Sequence, residues 1–211
     1  MSWFFEEVER MPTTTAAREA AAAADSRAEA ARIFRLDNEH LAFRYTATLS
    51  DRAGTEPFER LSDPDRLRLW LAVNGIDPGR RPTRPQLADA IALREAVYRL
   101  GVAVAHALPV AARDRALVNE AAAATGAVPE LADDGIRWRL ASLDTVAAAL
   151  GVIARDAIAL LGGERPGRIA TCDGPDCAGL YLDASRGSTR RWCSMSTCGN
   201  RNKKSRMRAR A

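Results

Sequence analysis

All four cysteines of this 211-residue chain sit close together near its C-terminal end. They come as Cys172-Asp-Gly-Pro-Asp-Cys177, then fifteen residues, then Cys193-Ser-Met-Ser-Thr-Cys198. Two short loops that each present two sulfurs meet the tetrahedral demand of Zn(II), which accepts four thiolates and has no geometric preference of its own. Gly174-Pro175 supplies the tight turn of the first loop. The spacing therefore predicts one structural Zn(II) per chain, held by Cys172, Cys177, Cys193 and Cys198. Two disulfides, or four unrelated core cysteines, are the competing readings. Disulfides belong to oxidising compartments, and the acidic first eleven residues carry neither the basic nor the apolar region of an export signal. A catalytic zinc would keep three protein ligands and an open position, often with histidine. Neither His40 nor His106 is near the cysteines in sequence.

The residues around the cysteines carry a resemblance. Asp183-Ala-Ser185, Arg190-Arg191-Trp192-Cys193-Ser194-Met195 and Cys198-Gly199-Asn200-Arg201 are similar to the CGNR zinc finger, over residues 165 to 211. That module ends a bacterial family of stress-induced transcriptional regulators whose N-terminal part is the helical ABATE domain. The resemblance implies a stress- or signal-responsive transcription regulator that binds double-stranded DNA in a bacterial cytoplasm.

Charge asymmetry points the same way without the family. Of the 31 Lys/Arg and 27 Asp/Glu in the chain, eleven and three fall in residues 165 to 211, so this segment carries +8 and the rest −4. Four thiolates with one Zn(II) subtract two charges, and the remaining +6 still attracts a polyanion. From Cys198 onward the chain reads as a helix starting on the metal site: Gly199 takes the turn, Asn200 is the N-cap, and no Gly, Pro or β-branched residue follows. With little apolar material, that helix is expected to be ordered by phosphates. Arg190, Arg191, Arg201, Lys203, Lys204, Arg206, Arg208 and Arg210 are the candidate nucleic-acid contacts. Lysines and arginines on such a helix would hold phosphate, whereas Arg201 could equally reach a guanine edge or turn back onto the finger. Trp192 is expected to roof the metal site, and Asp183 either to accept from Arg190 or Arg191 and so fix the loop, or to serve simply as a turn residue.

The fold class expected is mainly α, with a small antiparallel hairpin or three-stranded sheet and a C-terminal finger ending in a basic helix. Residues 1–31 read as an Ala-rich helical arm, 32–163 as the ABATE-like helical domain and 164–211 as the finger. Ile33-Phe-Arg-Leu36 and Leu41-Ala-Phe-Arg-Tyr-Thr46 suggest a hairpin across Asp37-Asn-Glu-His40. Residues 41–46 resemble the L-D-F-x-N-T motif of the ABATE family, with Ala42 and Tyr45 in place of its Asp and Asn. Ser62-Asp-Pro64 opens a helix that Asn74-Gly75 ends. Residues 86–107 form an amphipathic helix, closed by Leu108-Pro109, and a further helix covers roughly 110–125. Ile136-Arg-Trp-Arg-Leu140 alternates as a half-buried strand joining the first hairpin. Ser142 or Asp144 caps a long core helix to Leu161, too short and too charged at Arg155-Asp156 for a membrane span. Glu164-Arg-Pro-Gly167 is the expected hinge, and Arg168–Thr171 a short lead strand.

No nucleophile motif, phosphate-binding loop or dinucleotide fingerprint is present, so an enzyme is not expected. Two other functions stay open on the residues alone: an RNA-binding zinc module, for which only Tyr181 and Trp192 could stack on bases, and a zinc-stabilised protein-interaction module. A homodimer formed through the helical domain would set the spacing of two fingers.

Overall fold

The structure is a computed structural model that describes residues 27–132 and 135–208, without the side chain of Arg206. Most of the expected N-terminal arm and Arg210 lie outside the described residues. Residues 27–33 are helical (α1). There follow α2 (Leu41–Thr46), α3 (Pro64–Val73), α4 (Arg84–Ala105), α5 (Ala112–Ala122), α6 (Thr145–Leu161) and α7 (Asn200–Arg208). Three two-stranded antiparallel ladders complete it: β1 (Leu49–Ser50) with β2 (Phe58–Glu59), β3 (Ala127–Ala132) with β4 (Gly135–Leu140), and β5 (Arg168–Thr171) with β6 (Leu180–Asp183). The chain is thus mainly helical with small antiparallel hairpins, as its sequence implies.

Local chemistry sets the helix starts. Asp63 accepts from the backbone amides of Asp65 and Arg66, with Pro64 at the first helical position of α3. Thr83 and Gln86 form a reciprocal capping box on α4. Asp144, not Ser142, caps α6 through the amides of Val146 and Ala147. Those amides hold the Asp144 carboxyl below the usual carboxylate range, Ala147 contributing most.

The core is built on α6, which buries Val146, Ala149, Ile153, Ala154, Ala157 and Leu160 against α2, α4 and α5. Its two charged residues are not left in apolar surroundings. Arg155 donates to the carbonyls of Ala122 and Ala124, closing the end of α5. Asp156 accepts from the Ala42 amide at 2.8 Å and from Arg165 at 2.6 Å. A buried ion network ties β2 to α4: Arg94, 2% exposed, bonds both carboxylate oxygens of Glu59 at 2.6 and 2.7 Å and Glu95 at 2.7 Å.

The hairpin expected over residues 33–46 is not formed. Residues 41–46 are helical, burying Ala42, Phe43, Tyr45 and Thr46 at helical spacing. Short apolar runs fit either period, and here the long-range contacts decide: Asp156 holds the Ala42 amide, and the Tyr45 hydroxyl donates to the Ala90 carbonyl at 2.5 Å beside Trp70. Ala42 and Tyr45 are therefore core residues in this chain. The strand at 136–140 exists, but it pairs with β3, Pro129 opposite Trp138 and Leu131 opposite Ile136, and not with the 33–46 segment. It meets the turn that follows α3 through the Trp138 amide, which donates to the Gly75 carbonyl.

The finger shares the core of the helical domain. Ile169, Leu180 and Leu182, on β5 and β6, are buried in the same cluster as the helices. A Cβ added to Gly101 in α4 would lie 2.4 Å from a Leu180 methyl, so this glycine lets the finger strand approach the helix closely.

Candidate metal centre and basic helix

The first cysteine pair lies in the connection between β5 and β6. Cys172 leaves β5 with its amide bonded to the Gly179 carbonyl, and the Cys177 amide closes the turn on the Gly174 carbonyl. The connection from Asp183 to Cys193 is fixed from inside. Asp183 accepts from the Ser185 hydroxyl, the Ser185 amide and the Arg190 amide, contacts that hold its carboxyl below the usual range, the hydroxyl foremost. It thus accepts from Arg190 as expected, through the backbone amide and not the guanidinium, and takes no bond from Arg191. Arg190 instead spans three carbonyls, of Trp192 at 2.9 Å, Cys193 at 2.8 Å and Leu182 at 3.3 Å, with its guanidinium over the Tyr181 ring. The Tyr181 hydroxyl donates to the Arg190 carbonyl at 2.6 Å.

After Cys193, Ser194 caps a single wide helical turn, Met195–Gly199, by accepting from the Thr197 amide. Helix α7 continues directly from it. Asn200, the expected N-cap, therefore lies inside the helical run, and its side chain donates to the Ser196 carbonyl at 3.1 Å. Gly199 lets Met195 fold close over the turn: a Cβ there would sit 2.9 Å from the Met195 sulfur and 3.4 Å from the Trp192 ring, and the exposed Met195 side chain would have to move aside. Trp192 packs on the small cluster of Ala170, Tyr181 and the cysteines, roofing the site as the sequence suggests.

The four Sγ atoms lie within 4.8 Å of one another, and they form the one group of potential metal ligands among the described residues. Cys177 and Cys193 sulfurs are 3.5 Å apart, and those of Cys193 and Cys198 3.7 Å. A tetrahedral zinc with bonds of about 2.3 Å separates its sulfurs by about 3.8 Å, so the donor set fits one structural Zn(II). Crowding couples the thiols: contact with Cys172 drives Cys177 well below the usual thiol value and pushes Cys193 and Cys198 above it. The backbone leaves room for the sulfurs. A Cβ on Gly174 would lie 3.5 Å from the Cys172 sulfur, and one on Gly179 3.2 Å and 3.4 Å from those of Cys177 and Cys193. The Gly174 amide donates to Cys172 Sγ at 3.4 Å.

The expected nucleic-acid contacts divide by what they touch. Arg190 faces the finger interior. Arg191 forms an exposed pair with Asp173 at 2.9 Å and lies over the Trp192 ring. Arg201 reaches out of the finger altogether, to Asp51 beyond β1 at 2.9 Å. Lys203, Lys204 and Arg208 are exposed on α7 and have no protein partner among the described residues.

Several residues beside the centre carry no signal in the sequence. Asn38 donates to the Leu180 carbonyl at 3.0 Å, and Tyr98 to the Ala178 carbonyl at 3.0 Å. Asp37 accepts from the Ser194 hydroxyl and, at 2.9 Å, from that of Ser196. The Ala53 amide donates to the Asp176 carbonyl at 3.1 Å. These contacts join segments more than a hundred residues apart on average in sequence, and no local pattern announces them.

Comparison with protein families accounts for nearly all of the described chain. Residues 39–164 match the ABATE family, described as "Putative stress-induced transcription regulator", and residues 168–211 match the CGNR zinc finger. No curated protein sequence matches.

Proposed function

The chain belongs to the ABATE family and carries a CGNR zinc finger, and from that premise we propose that it is a transcription regulator that binds double-stranded DNA through a finger ordered by one Zn(II). The observation that carries this reading is the row of exposed cations Lys203, Lys204 and Arg208 on a helix that starts at the fourth cysteine. A helix with no acidic residue and so little apolar surface has no core to join, and its natural counterpart is a phosphate backbone. Zn(II) supplies folding energy and no reaction step: it offsets half the charge of the crowded thiolates and fixes the direction in which α7 leaves the finger.

The contact set we propose is Arg191, Lys203, Lys204, Arg206, Arg208 and Arg210, with Arg190 removed because it is committed to the finger's own carbonyls and Arg201 because it is paired with Asp51. RNA is the weaker reading. Single-stranded RNA calls for exposed aromatic platforms, whereas Tyr181 is buried beneath Arg190 and Trp192 lies against the metal cluster. The helical domain would carry the response to stress and join two copies, so that paired fingers meet a duplex in the cytoplasm. Among the described residues no helix is long and apolar enough to cross a membrane. The test is a triple charge reversal, Lys203→Glu, Lys204→Glu and Arg208→Glu, in the full chain. Duplex affinity should fall at least about a hundredfold at low salt, given that each phosphate contact adds to the counterion term. Unchanged affinity would assign the finger to protein docking. Sedimentation of the zinc-loaded protein on saturating duplex tests the pairing, and a strict monomer would remove it.

A further inference from the structure

We propose that Arg35 of the helical domain is a positioning residue of the metal centre, and that metal occupancy is thereby linked to the docking of the helical domain on the finger. The inference rests on the Zn(II) reading above. Arg35 lies just beyond α1, 142 residues from Cys177 in sequence, yet its Nη1 is 3.8 Å from Cys177 Sγ. Its Nη2 is 3.3 Å from Asp51 Oδ1, and the same carboxylate oxygen takes Arg201 Nη1 at 2.9 Å. One carboxylate thus serves two guanidinium groups, one from each side of the junction. The Arg35 side chain is only 13% exposed, so solvent cannot supply much of the missing counter-charge.

Charge bookkeeping at this spot points to the thiolates. Arg35, Arg60 and Arg201 against Asp51 and Asp37 leave one cation in surplus, next to a centre that carries net −2 when four thiolates hold one Zn(II). The loaded centre is the counterion that Arg35 otherwise lacks, and Arg35 in turn is an outer contact that steadies the Cys177 ligand. The geometry is held from both sides: Asp51 sits at φ 53°, in the left-handed region, and Asp37 grips Ser194 and Ser196 at the start of the wide turn that carries Cys198. Linkage requires reciprocity. If docking favours the loaded metal site, loading must favour docking by the same factor.

The experiment follows zinc transfer from the full-length loaded protein to a colorimetric chelator, comparing the natural protein with Arg35→Gln and Arg35→Lys. Arg35→Gln should lose zinc roughly tenfold more readily, at the low end of what outer-sphere partners contribute, and Arg35→Lys should recover part of that loss because it keeps the cation. A second measurement needs no substitution: hydrogen exchange of the natural protein with and without zinc. Removing zinc should raise exchange in residues 35–38 and 49–53 as well as in the finger. Equal zinc transfer from the natural protein and Arg35→Gln, or an exchange change confined to residues 168–208, overturns the inference while leaving the metal reading intact. A natural protein that holds no zinc by metal analysis overturns both.

Discussion

Replacing Gly101 with alanine probes the junction between helix α4 and the finger. In a helix interior alanine is favoured over glycine by about 0.5–1 kcal/mol, so Gly101→Ala in isolation should stabilise. Here the new methyl would sit 2.4 Å from Leu180 Cδ1, and Leu180 is 1% exposed, so its side chain would have to repack inside the core. Overpacking of this kind costs about 1–3 kcal/mol, which exceeds the helix gain. The net expectation is a loss of roughly 0.5–2 kcal/mol, a drop of about 2–6 °C in Tm for a chain of this size. Leu180→Ala alone should cost about 2–5 kcal/mol by leaving a cavity. In that background the sign at position 101 should reverse: the clash is gone, the methyl fills part of the void, and the double variant should be more stable than Leu180→Ala by about 1 kcal/mol. Urea and thermal unfolding of the four zinc-loaded proteins complete the cycle. If Gly101→Ala stabilises the natural protein and the Leu180→Ala background equally, the finger strand does not rest on α4 and the shared core is wrong.

Other consequences follow from single residues. Glu59→Ala strands the Arg94 guanidinium, and because Glu95 remains as a partner the expected loss is about 3 kcal/mol, the low end for breaking a buried pair; denaturant unfolding measures it. Arg190→Lys cannot span the Leu182, Trp192 and Cys193 carbonyls with one ammonium, so it should lower the Tm of the zinc-loaded protein by an amount equivalent to about 1–3 kcal/mol. Burial first, and then the Arg165 guanidinium donating to Nδ1, lower the His40 pKa. The unfolded chain therefore takes up the proton more readily, and this contribution is complete above the unfolded value of about 6.5 and is lost as pH falls from there through the lower folded value. Melting curves between pH 7.5 and 5.5, values chosen to bracket about 6.5, should decline less steeply for His40→Gln than for the natural protein in excess zinc.

What the sequence made legible was local. Ser62-Asp-Pro64 with Asn74-Gly75 frame α3, and the Ser142–Asp144 segment starts α6, because capping is settled within a few residues. The cysteine spacing located the centre for the same reason. The segment 41–46 was not legible, since its apolar residues fit a strand as well as a helix until Asp156 and Ala90 are present to hold the helical form. Strand β3 carries Pro129 and Glu130 between Val128 and Leu131, a poor strand signal that is tolerated because an edge position needs no amide from proline. The expected hinge at Glu164–Gly167 reads as a boundary in composition. Ile169, Leu180, Arg201 and both knuckle loops nevertheless meet α4 and the segments around α1 and β1, through contacts that only the folded chain brings together. Arg190 shows the limit most plainly: an arginine beside a metal ligand in a basic segment looks like a phosphate contact, and its side chain lies across three carbonyls.

The central claim is that Zn(II) orders a basic helix for duplex DNA. Its most direct test is the affinity of the full-length protein for mixed-sequence duplex, by fluorescence anisotropy over a salt series, before and after zinc removal. The loaded protein should bind with log Kd rising linearly against log salt, at a slope near −0.9 per phosphate for log affinity and so about −3 to −5 for a handful of contacts. Zinc removal should abolish that binding and zinc addition restore it. Binding of equal strength and slope with and without the metal, or no binding by the loaded protein at low salt, would contradict the account.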